Sequence, residues 1–316
     1  QDVKFILEPK IGDIYSALNI SMAYGSIKNC SFLFTNTGYS SSYLFSLYVV
    51  PLPNNPISNF LIDNIHMQFS GETSVSSNFE IHSPDDYPNI NNLIVQNSFF
   101  GTGGFLDSLF PFAVKSGDSI YFNNLTCISD TPKSIKPNGV FSFPHLGLSS
   151  SVTFFDKILF VNNCRFISSG NHIALSKTMI DYTPIQFNNC YFNGEYGVGV
   201  PKYGGMGSQI RGNATFNSCV FEGGTFFLGG GANKTPPSNY SIPILNGCSF
   251  YGTGAAVWIR GGESGFFNGC SFLSKNGGVS ITGSISSTSR AIVSNSLLLT
   301  DFDPSMSVVE YNNVRF

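Results

Sequence analysis

Two sets of side chains in this sequence have the types and spacing to do surface chemistry. The first is carboxylates. Glu195 and Glu222 lie five and three residues past Cys190 and Cys219, and Glu263 follows Trp258 by five. Cleavage of a glycosidic bond needs paired carboxylates, one protonated and one ionised. These offsets put the three glutamates on one side without gathering them into a cluster, and solvated surface carboxylates are the plain alternative. Asp85-Asp86 stands in a Pro-bounded turn, and adjacent residues on a strand would point oppositely. The second set is Trp258 with Arg260, and Phe227 one repeat earlier. A ring on a flat β surface stacks on a sugar, and a nearby Arg binds hydroxyls or a carboxylate. A Trp lying under a loop or in a subunit interface is the alternative. His66, His82, His145 and His172 are scattered and no C-x2-C pair occurs, so neither a metal nor a cofactor is expected.

The element that positions these residues is a repeat. Asn246-Gly247-Cys248-Ser249-Phe250 returns as Asn268-Gly269-Cys270-Ser271-Phe272, and in looser form around Cys30, Cys164, Cys190 and Cys219. With the Cys position as zero, degenerate copies stand at Ile65, Ser98, Leu125 and Ser296, spaced 22 to 39 residues apart. Units of that size signal a solenoid, in which each coil buries its apolar face only against its neighbours. Position −3 is apolar throughout, from Ile27 to Val293, and position +2 likewise, from Phe32 to Leu298. Strand side chains alternate with period two, so −3 and zero both face inward only if the chain bends between them. Position −1 is Asn, Gly or Ser, and Asn and Gly accept the left-handed conformation such a bend requires. The unit is strand, tight bend, strand.

Stacked Asn bends with aligned apolar, Cys and Phe columns resemble the right-handed parallel β-helix of the pectate-lyase-like superfamily, which includes polysaccharide lyases and hydrolases, viral tailspikes and bacterial adhesins. The resemblance covers about residues 25–301. It implies an all-β solenoid of about ten coils, with an N-terminal cap over 1–24 and a closing segment over 302–316. Within the cap, Asp13 is placed to start a short helix. Two of the superfamily's catalytic signatures are missing, the Gly-His-Gly turn of polygalacturonases and the calcium-holding Asp cluster of pectate lyases.

From Cys164 onward a third strand follows the Phe. Ile173/Leu175, Val198/Val200, Phe226/Leu228, Val257/Ile259 and Val279/Ile281 are expected inward. The Asn column at −1 is expected to bond coil to coil, with Asn163 and Asn189 each bonding both neighbours. The seven cysteines all fall in inward columns and read as small buried hydrophobes rather than disulfides, the odd number leaving one unpaired in any case.

Only 11% of residues are charged and the net charge is −3, so no basic footprint for nucleic acid exists. No apolar run reaches membrane-span length. A chain opening on Gln1 rather than Met has the pattern of a processed or trimmed N-terminus. Of the Asn-x-Ser/Thr sequons, those at Asn29 and Asn124 occupy bends, while Asn19, Asn213, Asn233 and Asn239 are candidate glycan acceptors.

The combined expectation is an extracellular or virion-surface β-helix for structural display and attachment, binding a glycan or cell-surface polysaccharide. It is expected to assemble as a homo-oligomer, a trimer or filament. A polysaccharide-cleaving lyase or glycoside hydrolase, and a subunit of a surface filament or sheath, are the alternatives.

Overall fold

A computed structural model describes residues 3–7, 18–20, 25–35, 47–49, 57–70, 79–81, 90–101, 112–114, 119–129, 146–148, 159–168, 185–198, 214–228, 243–260, 264–276, 278–284, 290–301 and 309–315. Among the described residues every strand pairing is parallel, and there is no helix. Successive coils lie in register on both sides of the bend. Phe187 pairs with Phe216 before it, and Phe192 with Phe221 after it. The chain is a right-handed parallel β-helix, the hand that strand–crossover–strand connections take.

All ten −1 residues occupy the left-handed region, from Asn29 (φ 54°) to Asn295 (φ 49°), including Ser218, Gly247 and Gly269. The bend lets positions −3, zero and +2 all face the core, where they are buried in every coil but the first, whose Ile27 and Cys30 are half-buried. The +2 phenyl rings of Phe166, Phe192, Phe221, Phe250 and Phe272 stack face to face at 5.0–5.2 Å. Phe187, Phe216 and Phe267 meet them edge-on. Position −5 adds a further inward column, including Phe60, Leu93, Ile120, Leu159 and Ile185.

The seven thiols are free. In-register parallel neighbours sit about 4.8 Å apart, within the Cα reach of a disulfide, but the sulfurs are engaged with backbone groups instead. Their backbone role explains why Cys recurs. Left-handed geometry at −1 turns the zero N–H inward, away from the strand ladder. The next coil's zero side chain accepts it: Leu125 N donates to Cys164 Sγ (3.4 Å), Ile65 N to Ser98 Oγ (3.0 Å) and Cys270 N to Ser296 Oγ (3.0 Å). The same Cys Sγ–H donates to a carbonyl of the preceding coil, as Cys190 does to Val161 O (3.2 Å). Burial pushes the Cys127, Cys164 and Cys219 thiols well up. Neighbouring S–H donors favour charge on Cys190 and Cys248. In a dry column whose sulfurs are already bonded, burial prevails and the thiols stay protonated.

Two expectations need correction. In the tight coils, those from Cys164 onward where the repeat is shortest, the continuous amide ladder runs at −2, not −1: Asn162 donates to Asn123, Asn188 to Asn162, Asn217 to Asn188 and Asn246 to Asn217, at 2.7–3.0 Å. Among the described residues the Asn189 side chain reaches only Asn163, at 3.4 Å, and its other neighbour is Ser218, whose short hydroxyl cannot replace an amide. The third strand of the Cys270 coil is shifted by two residues. Ile281, not Val279, pairs with Val257, because fully buried Ser280 takes a core place and bonds Thr300 O (2.8 Å). The tail carries a further copy of the unit: Val309–Asn312 pairs with Ala291–Ser294, Asn313 (φ 53°) bends, and its amide donates to Asn295. At the other end, Val3–Leu7 pairs with Cys30–Phe34. The helix expected from Asp13 and the third strand at Ile173/Leu175 lie outside the described residues, as do Val200 and the Leu228 side chain.

Candidate functional site

Outward positions +1 and +3 follow directly from the bend, since +2 points in. Along the tight coils these two columns bring together residues far apart in sequence. Arg165 pairs with Tyr191 at +1, and Asn193, Glu222 and Tyr251 follow one another at +3. The Arg165 guanidinium lies 5.4 Å from the Tyr191 ring centroid, a cation–π distance. Tyr191 Oη donates to Glu222 Oε2 (2.7 Å), and Asn193 Nδ2 donates to Tyr191 Oη (3.0 Å). Lys275, just past the second strand of the Cys270 coil, reaches back across the intervening coil to donate to Glu222 Oε1. The side chains of Lys275 and Glu222 are 39% and 32% exposed, so the cluster is open to a ligand.

Its electrostatics follow from these contacts. Lys275 first and the Tyr191 hydroxyl second hold the Glu222 carboxyl below its usual range. Partial burial, then the Glu222 carboxylate, raises Tyr191. Glu222 is therefore ionised, and its register neighbours are Asn193 and Tyr251, not carboxylates. Glu195 falls where the register shifts between Gly194 and Gly197, and its side chain is outside the described residues, as is all of Glu263. Among the described residues Glu222 has no second carboxylate as a register neighbour; an ionised carboxylate can orient a ligand's hydroxyls, and glycosidic cleavage asks for both forms. Among the described residues no group of His, Cys, Asp and Glu could hold a metal ion.

Trp258 lies on the third strand of the Cys248 coil, 39% exposed between the register partners Phe227 and Thr282. The Phe227 and Arg260 side chains lie outside the described residues. Outward rings also stack on the other strands: Tyr121 on Phe160 (5.1 Å) and His66 on Phe99 (4.7 Å). Of the candidate glycan acceptors, Asn19 pairs through its backbone with Tyr48, and Asn213, Asn233 and Asn239 are outside the described residues. Reading +1 and +3 as columns would have found Arg165, Tyr191 and Asn193, because both columns follow once −1 is fixed as the bend. Lys275 lies beyond them and required the fold.

Compared with protein-family models, curated proteins and solved structures, the chain matches none. No described helix is long and apolar enough to cross a membrane.

Proposed function

We propose that the chain is an extracellular or virion-surface β-helix of the pectate-lyase-like superfamily that displays and attaches, binding a glycan on its outer face without cutting it. The observation that carries this reading is the Arg165–Tyr191–Asn193–Glu222–Lys275 cluster, which joins an aromatic ring, an amide and both charges on one flat face. Such a face offers stacking together with donors and acceptors for hydroxyls. Trp258 serves as a second platform around the coil. A stem of in-register stacked coils suits homo-oligomeric assembly, as a trimer or filament. A second reading, glycan cleavage, rests on Glu222 being held ionised, the form a general base or nucleophile takes.

A glycan array combined with a reducing-end assay on the purified chain tests both readings. Binding without new reducing ends is expected, and Tyr191→Ala should weaken it by about tenfold while leaving the melting temperature near that of the wild type. Release of reducing ends that disappears in Glu222→Gln would replace attachment with catalysis.

A further inference from the structure

The −2 ladder contains two bonds that are chemically weaker than the rest. After Asn123, Asn162, Asn188 and Asn217 the next residue is Asn124, Asn163, Asn189 or Ser218, but Asn246 and Asn268 are each followed by glycine. Gly247 and Gly269 have φ of 60° and 65°. A Cβ built there would meet nothing nearer than Ser218 Oγ at 3.7 Å and Gly247 N at 3.9 Å, respectively. The glycines therefore answer the left-handed backbone rather than a lack of room.

An Asn–Gly link is also where a backbone amide attacks most readily, since glycine has no side chain to obstruct it. The Gly N–Cγ bond forms as the Asn Cγ–Nδ2 bond breaks, and the amide proton leaves with Nδ2 as ammonia. Water then opens the cyclic imide at either carbonyl, giving Asp or isoaspartate. No other reactant is needed.

In the folded coils this attack is blocked. Gly247 N is committed to Asn268 O (2.8 Å), and Gly269 N to Ser294 O (2.9 Å). The amide that would leave Asn246 donates to Asn217 Oδ1 (3.0 Å), and Asn268 Oδ1 accepts from Asn295 (3.0 Å). Both asparagines end strands, Ile244–Asn246 and Ser264–Asn268, so their backbones are held extended. We propose that Asn246 and Asn268 are modification sites gated by the fold, inert while their coils are closed and converted to Asp or isoaspartate once these coils open.

At Asn246 the product cannot rejoin the ladder. An aspartate formed from Asn246 would set a carboxylate oxygen against Asn217 Oδ1, acceptor against acceptor. Isoaspartate adds a backbone methylene just before the bend, displacing the Cys248 column from its register. Opening of the Cys248 and Cys270 coils is thus recorded irreversibly.

The test incubates the full chain, folded and in urea, in the same mildly alkaline buffer. Peptide mass spectrometry then follows Asn246 and Asn268, with Asn162 and Asn188 as internal references. Conversion of Asn246 and Asn268 should be at least about tenfold slower in the folded chain, and in urea it should outpace the references. Chains that refold on dilution should be depleted of isoaspartate at positions 246 and 268, whatever happens at the other Asn-Gly links, Asn138, Asn193 and Asn276. A Gly247→Asn, Gly269→Asn variant keeps the bend with the residue the other coils use. In it, conversion should fall to the reference rate and refolding yield after long incubation should recover. Equal rates in folded and unfolded chains overturn the gating. Chains carrying isoaspartate at 246 or 268 that refold and melt like the wild type overturn the irreversibility, as does a variant whose yield does not recover among chains unconverted at Asn138, Asn193 and Asn276.

Discussion

The first coils and the tight coils solve the same problem with different columns. In the coils of Cys30 to Leu125 the amide chain uses −1 residues: Asn64 donates to Asn29 (2.8 Å), Asn97 to the Asp63 carboxylate (2.9 Å) and Asn124 to Asn97 (3.1 Å). From Asn123 to Asn246 it uses −2 residues. Beyond Asn268 it returns to −1, through Asn295 and Asn313. The ladder therefore needs one amide per coil within reach, in either column. Where −2 supplies the amide, −1 is left with a single duty, the left-handed bend, and Ser218, Gly247 and Gly269 appear there. Where −2 is Lys28 or Asp63, the −1 Asn must bend and bond at once.

The largest effect expected from this contrast is at Asn97, which does both jobs. Asn97→Ala should lose about 1–2 kcal/mol to left-handed strain and about 1 kcal/mol for each of its two bonds, roughly 3–4 kcal/mol in all by thermal or urea melts. Asn97→Gly should recover only the strain. A variant as stable as the wild type would dissolve the double role.

In the tight coils the two duties separate, and mutation should separate them too. Asn188 donates to Asn162 and accepts from Asn217 and Gln186, and its φ is not left-handed. Asn188→Ala should cost about 2 kcal/mol, with Gly no better. One residue on, Asn189→Ala should cost about 1–2 kcal/mol, mostly from strain since its bond to Asn163 is long (3.4 Å), and Asn189→Gly should melt close to the wild type. If Gly rescues position 188 rather than 189, the assignment of ladder and bend is reversed.

The bend was legible in the sequence because its requirement is local: at each −1 position, Asn, Gly or Ser stands between two inward residues. The inward columns were legible for the same reason, as burial selects residue type one position at a time. The ladder was misplaced by one residue because Asn123, Asn162, Asn188 and Asn217 are followed by Asn or Ser, and composition cannot tell a bonding Asn from a bending one. Only the outward tilt of −1 against the half-buried setting of −2 decides it. The third strand of the Cys270 coil slipped because Val279 and Ile281 offer alternation equal to that of Val257 and Ile259, while a turn of different length sets the register. At the candidate site, Glu222 was visible as a carboxylate near the repeat. Tyr191, 31 residues away, was readable only once +1 is taken as a column, and Lys275, 53 residues away and outside the columns, was not.

The smallest expected effect concerns acid. The amides of the −2 ladder do not titrate near neutrality, so among the described side-chain bonds between tight coils, the one sensitive to acid is Tyr191–Glu222–Lys275. Its partners hold the Glu222 pKa below the unfolded value. The linkage then has one sign: the link contributes fully above the ordinary glutamate range and is lost as pH falls from that range through the folded pKa. Because both charged groups are about a third exposed, solvent screens the pair and the contribution should be well under 1 kcal/mol. Glu222→Gln should therefore melt slightly below the wild type at neutral pH, and the two curves should converge as the solution is acidified. Added salt should narrow the neutral-pH gap in the same way. A gap that persists undiminished in acid would mean that the Glu222 side chain stabilises these coils by packing or neutral hydrogen bonding, and that the cross-link over the Tyr251 coil is not electrostatic.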